Sequence, residues 1–143
     1  MSLALILAST STFRRELLMR LQIDFRQDSP ETDETPHANE SAEQLCQRLA
    51  IAKAHALNEK YSQHLIIGSD QVATFNGKII GKPITHVNAV QQLTDFSGHT
   101  VAFYTGLCLL NTVTGVFQHH VECFKVDFRV LSTEQIERYL QAE

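Results

Sequence analysis

Five side chains of this sequence have the types needed to handle a polyanion and activate water: Asp70, Lys53, Lys82, Arg14 and an acid of the pair Asp33-Glu34. Asp70 is the centre of the set. It follows the apolar run Leu65-Ile66-Ile67 and the small pair Gly68-Ser69, and precedes Gln71-Val72. A short, branched apolar run reads as a buried strand, and Gly68-Ser69 as its interruption. An acid at such a strand end sits where α/β sheets bind ligands, although an Asp that merely starts a turn fits equally well.

The other four are spread along the chain. Arg14 follows Ser9-Thr10-Ser11-Thr12, a hydroxyl-rich turn between the apolar run Leu3–Ala8 and a helical pattern carrying Leu17, Leu18 and Leu21. A helix N-terminus with free N–H groups, two hydroxyls and an Arg is a seat for phosphate. Ser and Thr are also ordinary N-caps, and there are no glycines for a phosphate-cradling loop. Asp33-Glu34 lies in a polar, proline-containing stretch from Asp28 to Glu40 that reads as loop. Acids there are solvated or available to Mg²⁺, which takes carboxylates together with substrate phosphates. Lys53 flanks the apolar stripe Leu45, Leu49, Ala52, Ala56, and so either snorkels to water or points into a cleft. Lys82, between Gly81 and Pro83, is held on a stiffened backbone.

These positions need a scaffold. Ile23–Gln27 reads as a second strand, and Ser41-Ala42-Glu43-Gln44 as a capping box opening a long helix. Thr74–Ile80 with Asn76-Gly77 reads as a hairpin. A helix is expected over Thr85–Phe96, a strand pair over Thr100–Leu110 and Val116–Val130, and a last helix after the second capping box, Ser132-Thr133-Glu134-Gln135. Strands alternating with helices predict an α/β fold.

Composition bounds the function. With 143 residues a single domain over 1–143 is expected, and 43% apolar with 20% charged residues is ordinary for a soluble globular chain. A net charge of −4 argues against a broad nucleic-acid-binding face while leaving room for a small basic pocket. Seven scattered His and three distant Cys (Cys46, Cys108, Cys123) give neither zinc spacing nor a disulfide framework. His119-His120 reads as strand surface. No run approaches membrane-spanning length and Met1–Ala8 lacks the features of a signal peptide, so a cytoplasmic location is expected, with no membrane partner.

Taken together, Leu5–Ser11 with Arg14-Arg15, Asp33-Glu34-Thr35-Pro36, Lys53-Ala54, Gly68-Ser69-Asp70-Gln71-Val72 and Gly81-Lys82-Pro83 resemble the Maf-like family of nucleotide pyrophosphatases. The resemblance implies an α/β fold, a mixed β-sheet with helices packed on both sides. It implies a small-molecule nucleotide substrate, a divalent metal cation (Mg²⁺ or Mn²⁺) and, since the family is often dimeric, a homodimer. It places the general base on Asp70 and phosphate-binding and catalytic positions on Ser9, Ser11, Arg14, Lys53 and Lys82. Glu34 falls in an acidic supporting role, with Asp70 and Glu34 as the metal's carboxylates, and Phe13 and Gln71 fall on specificity positions. The Ser-Asp-Gln form resembles the branch that hydrolyses 7-methyl-GTP. Thr12 stands where the family usually has Pro, leaving a candidate N-cap. The family also continues into a Gly-Ser-Phe-rich segment that reaches the substrate, beyond Glu143 in register.

The chemistry so implied needs cations to offset the triphosphate, an oriented water and an in-line α-phosphorus. Phe13 offers a flat face to a cationic 7-methylguanine, and Gln71 a donor and an acceptor to a purine edge. Both residues also have plain structural readings, as a core-packing helix start and a strand-end amide. Two other functions remain open: a UTP or dTTP pyrophosphatase, against which Gln71 argues, and a non-catalytic nucleotide-binding regulatory protein.

Overall fold

A computed structural model describes residues 3–81 and 85–142; Lys82 lies outside the described residues. Among the described residues ten elements follow one another: β1 (Ala4–Ala8), α1 (Thr12–Met19), β2 (Phe25–Asp28), α2 (Ala42–Ala56), β3 (His64–Phe75), β4 (Lys78–Ile80), α3 (His86–Phe96), β5 (Thr100–Asn111), β6 (Phe117–Asp127) and α4 (Thr133–Ala142). The six strands form one mixed sheet in the order β2-β1-β3-β5-β6, with β4 paired to β3. β1 runs parallel to β2 and to β3, whereas β4 runs antiparallel to β3. The expected α/β class with a mixed sheet is what the chain adopts.

The chain groups into two compact units, residues 1–71 with 104–122, and residues 72–103 with 123–143. The first has a core of Ile6, Ala8, Ala50, Ala54, Leu57, Ile66, Cys108 and Leu110, with Ile51 and Tyr61 packed against it. The second has an aromatic cluster in which Phe96 packs against Phe75 and Phe128.

Local chemistry explains most boundaries. Ser41 and Gln44 close the capping box of α2 in both directions, and Ser132 and Gln135 do so ahead of α4. Asn76 and Gly77 both take positive φ, 52° and 77°, the geometry a two-residue hairpin requires. The connection from Asn111 to Phe117 is too short for a crossover, so β5 and β6 form the expected antiparallel pair.

Three sequence expectations are corrected. Gly68-Ser69 does not interrupt the central strand: β3 continues through them to Phe75, so Asp70 lies inside a strand. Gly68 serves close packing instead, since a Cβ there would lie 2.1 Å from the Ala50 carbonyl oxygen and 2.6 Å from the Ala54 nitrogen. Gly106 on β5 does the same work, 2.6 Å from the Cys46 carbonyl oxygen. Together they seat α2 directly on β3 and β5. Second, the buried side of α2 is Ala42, Leu45, Cys46, Leu49, Ala50, Lys53 and Ala54, while Ala56 is exposed. The close seating turns the helix so that Lys53 falls within the buried face and not at its margin. Third, α1 buries none of its residues, and Leu17 and Leu21 are exposed. Its N-cap is Ser11, not Thr12, because the Ser11 hydroxyl reaches the Arg14 N–H.

The packing predicts that Gly68→Ala lowers stability by about 2–3 kcal/mol in urea denaturation, an overpacking cost against backbone atoms that cannot retreat. Gly77→Ala, in open space but at φ 77°, should cost only about 1 kcal/mol. Equal losses would refute the close-approach explanation.

Candidate active site

Parallel pairing of β1 with β3 ends at Ala8 and Gly68. One residue further on are two buried serines, Ser9 just past β1 and Ser69 on β3, and β3 then presents Asp70. The acid therefore emerges where the parallel ladder stops, just past the carboxyl end of β1.

Helix α2 brings Lys53 to it. The ammonium donates to Asp70 Oδ1 at 2.8 Å, and both residues are buried, 9% and 7% exposed. Glu34 Oε1, from the long loop after β2, approaches the same ammonium at 2.9 Å. One lysine thus bridges two carboxylates from a strand and a loop. The Lys53–Asp70 contact is a buried pair, in which each charge depends on the other, whereas the Glu34 side chain is 53% exposed and its pairing is largely screened. The nearby Cys46 thiol is pushed up to about 11, by burial first and by the Asp70 charge second, and is no nucleophile at neutral pH.

The helix α1 start is assembled beside this pair. The Ser9 hydroxyl accepts from the Ser11 N–H at 3.0 Å, and the Ser11 hydroxyl accepts from the Arg14 N–H at 3.1 Å. Arg14 Nη1 donates to the Ser69 carbonyl at 3.3 Å, tying α1 to the residue before Asp70. From β2, the Asp28 carbonyl accepts the Ser9 N–H at 3.0 Å and the Gln27 amide donates to the Ser11 carbonyl at 3.2 Å. Asp28 is itself held by Lys60 at 2.7 Å and Tyr61 at 2.6 Å.

Of the residues expected at the site, Ser9, Ser11, Arg14, Glu34, Lys53 and Asp70 are thus joined by one chain of contacts. Gln71 is exposed and donates to Thr105 Oγ1 at 3.3 Å. Phe13 is 68% exposed and makes no ring contact among the described residues, so it does not pack on the core. A cavity of about 550 Å³ is lined by Arg15, Met19, Gln22, Ile23, Asp24, Phe25 and Gln27; it includes none of the expected site residues, although Gln27 bonds Ser11.

The family model described as "Maf-like protein" matches residues 4–143. The chain belongs to the Maf-like family. A relative from Pseudomonas aeruginosa, named 7-methyl-GTP pyrophosphatase, is 52% identical over 139 residues, covering 97% of this chain and 72% of the relative.

Sequence reading of this Maf-like chain missed Arg48, Glu40, Gln27, Asp28 and Thr105. Arg48 Nε binds Glu40 at 2.7 Å across eight residues, a separation too long for a helical-neighbour rule. Gln27 and Thr105 act from neighbouring strands, and no spacing in the chain signals such contacts. Only Asp28 carried a signal, as an acid directly after the expected strand Ile23–Gln27.

Two predictions follow from the charges. Lys53→Ala should cost about 3–5 kcal/mol in urea denaturation by stranding Asp70, and adding Asp70→Asn should recover part of it; simple additivity would contradict the buried pair. Asp28 is lowered to about 2, mainly by Lys60 and then Tyr61, and Glu40 to about 2 by Arg48 and the His37 N–H. Native values below the ordinary 3.8 and 4.5 mean that their stabilisation is full above those values and lost as pH falls toward about 2. The urea midpoint should decline over that window, and less steeply in Lys60→Gln. The same slope in the variant would contradict the assignment to Asp28.

Proposed function

We propose that this chain hydrolyses 7-methyl-GTP to 7-methyl-GMP and pyrophosphate. The observation that carries the reading is the Lys53 ammonium between Asp70 and Glu34, beside the Ser9–Arg14 helix start. Its support is the 52% identity to a relative named for this activity.

The chain's own residues divide the work. The start of α1, with the positive end of its dipole and the hydroxyls of Ser9 and Ser11, receives phosphate oxygens. Arg14 presents a forked guanidinium and Lys53 a point charge against the triphosphate. Lys82 belongs to the same reading as a third cation. Asp70, kept beside an ammonium, is the acceptor for the proton of the attacking water, a role worth about a hundred- to ten-thousand-fold in rate. Gln71, steadied by Thr105, and the open face of Phe13 address the base. A cationic 7-methylguanine favours an aromatic face over what an uncharged guanine would gain.

Among the described residues no group of three or more His, Cys, Asp and Glu is placed to hold a metal. Asp70 and Glu34 offer the hard carboxylate oxygens that a divalent cation takes alongside substrate phosphate and water, and both now bond the Lys53 ammonium, which would have to share them. Held by these carboxylates, Mg²⁺ or Mn²⁺ would supply positive charge against the phosphates and make a water more acidic. The protein is read as cytoplasmic, with a homodimer as its expected assembly; no helix among the described residues is long and apolar enough to cross a membrane.

Pyrophosphate release from 7-methyl-GTP, GTP, UTP and dTTP, with Mg²⁺ and with chelator, tests the reading. Preference for 7-methyl-GTP is expected, with loss in chelator and a drop of about a hundredfold or more in Asp70→Asn. Undiminished turnover by the Asn variant would remove Asp70 as base. Equal rates on all four nucleotides would remove the specificity, and preference for UTP or dTTP would favour the other substrate class.

A further inference from the structure

Residues 29–41 contain neither helix nor strand, yet Glu34 within them reaches Lys53 at 2.9 Å. A polar loop of this length has many conformations, and ordering it costs roughly 1–2 kcal/mol per residue. Something must hold it. Arg48, on α2 ahead of Lys53, supplies three bonds to it. Its Nε donates to Glu40 Oε2 at 2.7 Å and its Nη2 to Glu40 Oε1 at 3.1 Å, a bidentate fork at the end of the loop. The same Nη2 donates to the Thr35 carbonyl at 3.0 Å, on the residue that follows Glu34. Glu40 Oε1 also accepts the His37 N–H at 3.0 Å, closing the segment between the two anchor points. The Glu40 side chain is only 9% exposed and that of Arg48 29%, so the pair is shielded better than an ordinary surface ion pair.

We propose that Arg48 is a positioning residue of the site: gripping Glu40 and the Thr35 carbonyl at once, it fixes the loop on α2 and so holds Glu34 against Lys53. The consequence for catalysis rests on the function proposed above; the clamp itself does not. Arg48 and Lys53 share one helix, so the grip and the site it serves are set at a fixed distance. The planar fork is what the role requires. A lysine would keep the charge but lose the parallel bonds to Glu40 and the simultaneous reach to Thr35. Arg48 and the His37 N–H lower Glu40 to about 2, so the clamp is fully charged at neutral pH.

Two measurements test it. Amide hydrogen exchange needs no substrate: in Arg48→Gln the Thr35 and His37 amides should exchange at least about tenfold faster, while the amides of Leu49 to Lys53 stay unchanged. Unchanged loop amides, or helix amides that speed up equally, would overturn the clamp. The second is a kinetic cycle of Arg48→Gln and Glu34→Gln on pyrophosphate release. Arg48→Gln should lower kcat by about tenfold when Glu34 is present and by less than about twofold when it is not, with Arg48→Lys falling between. An equal loss in both backgrounds would mean that Arg48 acts other than through Glu34, and would overturn the proposal. A chain that releases no pyrophosphate fails the functional reading alone, and the exchange rates still decide the clamp.

Discussion

The ammonium of Lys53 is the contact on which the rest of the site depends. A buried carboxylate without a partner is unfavourable, and a buried ammonium is equally so. At 2.8 Å, Asp70 and Lys53 each offset part of the cost of burying the other. This mutual need explains why a lysine lies within the apolar side of α2. It also gives Glu34 a fixed positive target, so that a loop without secondary structure has one preferred place to end.

That contact is made possible by what is absent elsewhere. Gly68 and Gly106 carry no side chain between α2 and the strands beneath it, and the helix settles onto the backbone. A larger residue at either position would press on the α2 backbone that carries Lys53. Backbone packing at two glycines thus sets a charge–charge distance at the site. The α1 start is set by different means. The Asp28 carbonyl, the Gln27 amide and the Arg14 guanidinium hold it to its neighbours by hydrogen bonds.

Much of this was legible in the sequence where the determinant is local. The capping boxes at Ser41 and Ser132, the Asn76-Gly77 turn and the branched run Leu65–Ile67 all announce themselves within a few residues. What stayed hidden depends on the third dimension. Gly68 reads as a break because glycine usually loosens a strand, whereas its purpose here belongs to the helix above it. Lys53 reads as marginal because the buried side of α2 is set by that same packing and not by apolar periodicity alone. Leu17 and Leu21 read as a helix face that the described fold leaves open. Side-chain partners such as Arg48 and Glu40, or Gln71 and Thr105, follow from loop paths and strand neighbours that no local pattern encodes. The site residues themselves came from motif resemblance, and their convergence came from the coordinates.

The most direct test of the central contact is the nitrogen-detected NMR signal of the Lys53 ammonium. Its protons should exchange slowly and its resonance should be resolved from those of the exposed Lys60 and Lys78. That distinct signal should disappear in Asp70→Asn. A Lys53 ammonium indistinguishable from the exposed lysines in the unmodified protein would contradict the account.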